Sequence, residues 1–233
     1  MKNENLQEDT RDMLVSILKA STSLLPSLGP LLYEIIASVI PEQRLDRIAD
    51  FIENLEKRLN LISQEVLTEF KNNDEFVALI EESIYQASRA TTQARRQYIV
   101  SIVINGITNN DIKLMESRYM LKLLHDLNDV EVIILLGCSP QKRYDRDFVQ
   151  KHPNVSMYFK NYGLNHPRGS VSFEESINES YKKHLINLNL IYDNYFNDGK
   201  SPLPILDGGG NPKINHTETT SLGNRFLKHM DLV

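Results

Sequence analysis

LDRIADFIENLEKRLNLISQEV, residues 45–66, sets Leu45, Ile48, Ile52, Leu55, Leu59, Ile62 and Val66 at alternating intervals of three and four. Asp46, Arg47, Asp50, Glu53, Glu56, Lys57 and Arg58 fill the positions between them. An apolar seam of this period, flanked by charge, is that of a long helix packed at a shallow angle on another helix. The spacing therefore predicts a helical bundle, and the residues on either side are read against it.

On the N-terminal side, Met13, Leu14, Ile17 and Leu18 share one helical face, and the chain then enters LLPSLGPLLYEIIASVIPEQR, residues 24–44. Gly29-Pro30 reads as a turn with proline at the first helical position, and Pro41 stops the short helix that follows. Two readings stand for this segment. In one, Leu28, Leu31, Leu32, Ile35 and Ile36 pack inside the bundle, each burial contributing about 1.5–3 kcal/mol. In the other, the hairpin inserts into a membrane after a trigger, with Glu34 as the group whose protonation permits it. The prolines divide the run into pieces each too short to span a bilayer alone.

Beyond KNND (residues 71–74), the sequence predicts a second long helix over 75–105. Its candidate contacts are Phe76, Ile80, Ile84, Ala87, Ala94 and Ile102, and Asn105-Gly106 serves as its stop. A further helix over 111–127 places Met115, Tyr119, Leu123 and Leu127 on one stripe. DVEVIILLG (129–137) suits a buried helix or a buried strand, and helix is favoured because no alternating strand–helix units surround it. After a polar, irregular region over 139–171, Ser172 and Glu175 form a capping-box signature ahead of Phe173, Ile177, Tyr181, Leu185 and Leu188. SPLPILDGGGNPKINH (201–216) reads as a loop or a hairpin tip, and TETTSLGNRFLKHM (217–230) as a short strand and a last helix.

The composition narrows function by exclusion. Of 233 residues, 41% are hydrophobic and 24% charged, ordinary for a globular chain. The formal charge of −5 argues against a generic polyanion binder. Cys138 is the single cysteine, so no internal disulfide and no cysteine-rich zinc site is expected, and a cytoplasmic setting follows. The opening MKNENLQEDTRDML is polar and acidic, unlike a signal peptide. The histidines lack metal-ligand spacing, Cys138 reads as an inert core thiol, and DGGGNP lacks the lysine and helix of a phosphate loop. No cofactor, metal, catalytic residue or small-molecule ligand is expected, and the chain is read as non-enzymatic.

The second half resembles a winged-helix domain. Leu185, Leu188, Asn189, Leu190 and Ile191 match the run in which a winged-helix helix ends, with Asn189 where glycine is usual. Thr220, Gly223 and Phe226 match the T-x-x-G-x-x-F/L that closes the wing. Asn tolerates left-handed geometry better than most residues. The whole layout is also similar to a group of uncharacterised bacterial helical-bundle proteins, some in mobile-element or phage-defence neighbourhoods. The fold expected is mainly α: a bundle over residues 1–108 carrying the long heptad helix, then a winged-helix-like α+β domain over 109–233 with a small β-hairpin. The resemblance implies a regulatory or interaction protein that docks a protein partner or a second copy of itself. The alternatives are a DNA-binding regulator or a triggered membrane-permeabilising effector. Candidate contacts for partner or nucleic acid are Asn178, Lys182, Lys183, Lys142, Arg143 and Arg146. The glutamates beside Asn178 and Lys182 lead us to expect weak, salt-dependent DNA binding.

Overall fold

The computed structural model describes residues 44–70, 73–108, 113–153, 173–199 and 203–233. The apolar hairpin with Leu28, Leu31, Leu32, Glu34, Ile35 and Ile36, and the Ser172 cap, lie outside the described residues. The chain divides into two compact units, one of residues Met1–Asp126 with His229–Asp231, the other of Leu127–Lys228 with Leu232–Val233. Helices predominate among the described residues, with a single two-stranded antiparallel sheet near the C-terminus.

The first unit contains α1 (Leu45–Leu59), α2 (Gln64–Phe70), α3 (Asp74–Arg89), α4 (Gln93–Thr108) and α5 (Leu114–Asp126). Leu45, Ile48, Ile52, Leu55 and Leu59 are all buried on α1, joined by Phe51, which the three-four spacing leaves out. The seam ends sooner than its periodicity extends. At Asn60 the hydrogen bonding tightens, with Leu61 N–H donating to the Arg58 carbonyl at 3.2 Å and Ile62 N–H to that of Leu59 at 2.9 Å. The Ser63 hydroxyl then accepts from Val66 N–H as α2 begins. Ile62 and Val66 are half-buried and Leu61 is exposed, so the buried seam does not reach them.

The second predicted long helix is likewise two. Ala90 is extended, with ψ of 114°, and the Thr92 hydroxyl accepts from Arg95 N–H at 3.2 Å, opening α4. A β-branched pair, Thr91-Thr92, whose hydroxyl can serve the backbone favours an end over a continuation. Ala94, beyond the break, is exposed. Gly106 does not stop α4, which runs on to Thr108. A Cβ there would lie 2.5 Å from the Ser117 hydroxyl, so the glycine is what lets α5 come close.

Helix α4 is the axis of this unit. It packs on α1, α2, α3 and α5, and Ile99, Val100, Ser101, Ile102, Val103, Ile104, Gly106 and Ile107 are buried along it. A helix apolar on nearly all sides is one surrounded by others. Its polar residues are used internally. Arg96 Nε meets Asp50 Oδ2 at 2.5 Å, and Arg95 donates to the Leu124 carbonyl. On α5 the buried face is Leu114, Ser117, Met120, Leu121 and Leu124. Met115 and Tyr119, expected on the inner stripe, are exposed, while Leu123 and Leu127 are buried.

The C-terminal residues of this unit are held by a polar network. The Asp231 carboxylate accepts from Asn105 Nδ2 and Arg58 Nη2, both at 2.9 Å, and Asn105 also donates to the His229 carbonyl at 3.1 Å. Burial raises the Asp231 pKa, but the hydrogen bonds from Asn105, Ser101 and Arg58 outweigh it and hold the carboxyl below its usual value.

The second unit contains α6 (Asp129–Cys138), α7 (Arg146–Lys151), α8 (Phe173–Asn187), β1 (Ile191–Tyr195), β2 (Ile214–Thr219) and most of α9 (Ser221–His229). DVEVIILLG is helical, as favoured. Asn128 and Glu131 form a reciprocal capping box that starts α6. Helix α8 ends in a Schellman motif, with Asn189 at φ 56° and Leu190 N–H donating to the Leu185 carbonyl at 2.9 Å. The left-handed geometry expected of Asn189 is present. Strands β1 and β2 pair with Ile191 opposite Thr219 and Asp193 opposite Thr217, and the register shifts at Asn194/Tyr195. Thr220 caps α9, its hydroxyl accepting from Gly223 N–H at 3.0 Å.

Two substitutions test this packing. Leu55→Ala should cost about 2–5 kcal/mol, as a buried leucine truncated in a core does. Gly223→Ala should cost at least about 1–3 kcal/mol, because its Cβ would sit 2.1 Å from the Leu190 carbonyl oxygen. Urea unfolding followed by circular dichroism measures both; a midpoint unchanged in either variant removes that residue from the scheme.

Candidate functional site

The polar groups of the second unit gather around the hairpin. Cross-strand pairing puts Tyr192 opposite Glu218 and Asn194 opposite His216, on one face of the ribbon, while Asp193 and Thr217 occupy the other. Glu218 is the hub of the first face. It accepts from Tyr192 Oη at 2.8 Å and Arg143 Nη1 at 3.0 Å, and His216 Nε2 lies 2.7 Å away. Asn194 Nδ2 completes the row, 3.1 Å from the same imidazole nitrogen. The Tyr192 hydrogen bond, then that of Arg143, lowers the Glu218 pKa to about 2, against a smaller opposing effect of burial. The same bond to Glu218 raises the Tyr192 pKa.

Arg143 also donates to the Thr217 carbonyl and, at 3.3 Å, to that of Cys138. A guanidinium is thus spent on covering one backbone acceptor of β2 and one at the end of α6. On the opposite face Asp193 Oδ1 accepts from Thr217 Oγ1 at 2.5 Å and pairs with Lys182 Nζ at 2.6 Å. Cys138 is buried, and desolvation raises its thiol to about 12, so it is inert as a nucleophile.

The sequence-predicted contact residues therefore fall in different situations. Lys182 pairs with Asp193, Lys183 with Glu179 at 2.8 Å, Lys142 with Asp145 at 2.7 Å, and Arg143 with Glu218. Asn178 is half-buried, and Arg146 is exposed in the first turn of α7. The structure brings Lys182 and Arg143 to the hairpin, where each meets a carboxylate of the same unit.

Two features escape a reading of the sequence by composition. One is the end of the hairpin. Phe196 N–H donates to the Lys213 carbonyl, Lys213 N–H to that of Ile205 and Ile205 N–H to that of Phe196, closing a ring of bonds at 2.7–2.9 Å. Asp207 Oδ1 accepts from Gly209 and Asn211 N–H at 2.7 and 3.0 Å, so its own carboxylate fills the concavity of DGGGN where an anion would otherwise sit. Around this ordered end Tyr195, Phe196, Ile205, Leu206 (57%) and Leu203 (70%) stay exposed.

The other is a carboxylate–imidazole pair. Glu131 is 3% exposed; its Oε2 accepts from Asn128 N–H at 2.8 Å and its Oε1 lies 2.6 Å from His184 Nδ1. The signal was present as Asn128-x-x-Glu131, a capping-box spacing, but its histidine partner is 53 residues away.

Comparison with family models, with curated proteins and with solved structures finds no match. Among the described residues no helix is long and apolar enough to cross a membrane, and no group of three metal-ligating side chains is gathered.

The depressed Glu218 pKa carries a pH signature. A carboxyl ionised more readily in the folded state contributes stability above its ordinary value, 4.5, and loses it as pH falls toward about 2. Glu218→Gln should therefore destabilise the chain near neutrality, with the difference from wild type shrinking across that window. Urea midpoints of both proteins at stepped pH read this out; a constant difference down to pH 2 would contradict the cluster.

Proposed function

We propose that the C-terminal unit is a winged-helix-like docking module that binds a protein partner through the end of its hairpin. The observation that carries this reading is the exposed apolar set Tyr195, Phe196, Leu203, Ile205 and Leu206 on a hydrogen-bonded, preorganised turn. Scattered exposed apolar side chains are ordinary, but a cluster of aromatic and aliphatic groups on one ordered end is what an interface core requires. The ring of backbone bonds adds to this, since a shape fixed before binding reduces the ordering entropy lost on docking.

The same unit offers little to DNA. Lys182, Lys183, Lys142 and Arg143 each hold a carboxylate, so a phosphate would have to displace Asp193, Glu179, Asp145 or Glu218. Few net phosphate contacts mean little counterion release and weak binding. The order helix, hairpin, capped helix, with Asn189 left-handed, Thr220 as cap and Gly223 in close approach, supports the winged-helix resemblance. The resemblance to bacterial bundle proteins supplies the setting we attach to it, a regulatory part of a defence or mobile-element system.

A photo-crosslinking residue at position 206, introduced into the full chain in its native cells, should yield a discrete protein adduct. Leu203→Asp with Ile205→Asp should abolish that adduct and leave the unfolding midpoint nearly unchanged, because both side chains face solvent. Tight binding of one DNA duplex at physiological salt, lost in Lys182→Ala, would replace this reading by a DNA-binding one.

A further inference from the structure

We propose that His184 is a phosphoryl-acceptor site, loaded at Nε2 from an N-phosphoryl donor such as a phosphohistidine of a partner protein. The argument begins with orientation. Glu131 is buried and its carboxylate takes the Nδ1 hydrogen of His184, which fixes the tautomer and leaves the lone pair on Nε2. The imidazole is 40% exposed while the carboxylate behind it is 4% exposed. The ring is therefore held from its inner side and open on its outer one.

That outer side faces an open groove of about 510 Å³, lined by Ser176, Glu179, Ser180, Lys183 and Asn187 beside His184. Hydroxyl and amide groups are donors that tetrahedral phosphoryl oxygens accept from, and each side chain named in this lining is polar. Among the described lining residues Glu179 is the opposing charge, and Lys183 Nζ holds it at 2.8 Å. Among the described residues no group of three metal-ligating side chains is gathered here, so the groove offers no metal cage.

The step balances within these groups. The Nε2 lone pair attacks phosphorus, the Nε2–P bond forms, and the P–N bond of the donor breaks with its electron pair leaving on the donor nitrogen. The ring gains positive charge as it reacts, and the Nδ1 hydrogen stays shared with Glu131. A buried carboxylate behind an imidazole stabilises that charge as it develops. An exposed histidine without such a partner lacks this term. His125 is one: it is exposed at the end of α5, with no hydrogen-bond partner among the described residues.

His125 therefore serves as the internal reference. The full-length protein is incubated with phosphoramidate, the simplest N-phosphoryl donor, and acid-labile phosphate is located by peptide mass mapping in alkali and by phosphorus NMR. His184 should label at least about tenfold faster than His125, the ratio that about 1.4 kcal/mol of carboxylate stabilisation gives. Ser180→Ala, at an exposed position, should slow His184 and leave His125 unchanged. Glu131→Gln should bring the two rates together. Equal labelling of His184 and His125 in the wild-type chain overturns the proposal, and so does a ratio undiminished in a folded Glu131→Gln variant. Should that variant lose α6, the wild-type ratio and Ser180→Ala decide the matter.

Discussion

The Leu190 carbonyl is where the C-terminal unit is tied together. It accepts from Thr220 N–H at 2.9 Å and from the Thr220 hydroxyl at 3.3 Å, and Gly223 passes so close that no Cβ fits. One oxygen thus joins the end of α8, the last turn before β1, the end of β2 and the first turn of α9. Asn189 must be left-handed to present it, and Thr220 must carry a hydroxyl to cap α9 while donating back to Asn189 and Leu190. The hairpin register follows, because Ile191 and Thr219 are the next residues out and have no freedom to slip. A one-residue slip of β2 would bring Glu218 and His216 to the face opposite Tyr192 and break the cluster.

The two carboxylates that flank the hairpin are each paired within this unit. Asp193 and Glu218 lie on opposite faces of the hairpin, and each receives a cation from a different element, Lys182 of α8 and Arg143 of the segment after α6. Exposed ion pairs contribute little, but the Arg143 and Asp193 side chains are each only 11% exposed and hydrogen-bonded beyond the pair. These contacts position the ribbon against the helices.

The existence of the helices was legible from apolar spacing, and their ends were not. Leu45 to Leu59 are buried at the predicted interval, yet Asn60 with Ser63, and Thr91 with Thr92, divide what periodicity alone reads as continuous. Side chain to backbone bonds of this kind compete with helix propagation and leave no mark on the hydrophobic pattern. On α5 the inner face was misplaced because one of its members is Ser117, a small residue chosen to meet Gly106; an apolar count moves the stripe to Met115 and Tyr119 instead. In the second half, the residue type at Asn189 announced its left-handed backbone, whereas Thr220 and Gly223 entered only through a motif match, and their roles as cap and point of close approach come from the structure. The basic candidates were visible as charge, but their partners were not. Arg143 and Glu218 are 75 residues apart, and nothing local says that the arginine faces inward.

Helix α8 shows how neighbouring residues acquire separate functions. Lys182, Lys183 and His184 are consecutive, so each is turned by about 100° from the last on a helix of 3.6 residues per turn. Lys182 reaches the hairpin and Asp193; Lys183 turns to solvent and Glu179; His184 turns to α6 and Glu131. The helix is held on two sides by buried or nearly buried carboxylates, which leaves its third side for the polar groove. Moving either carboxylate would rotate α8 and re-aim all three side chains together. The groove at His184 and the clamp on β1 are therefore two consequences of one helix orientation, and a change of charge at the imidazole acts on the same element that holds the hairpin in register.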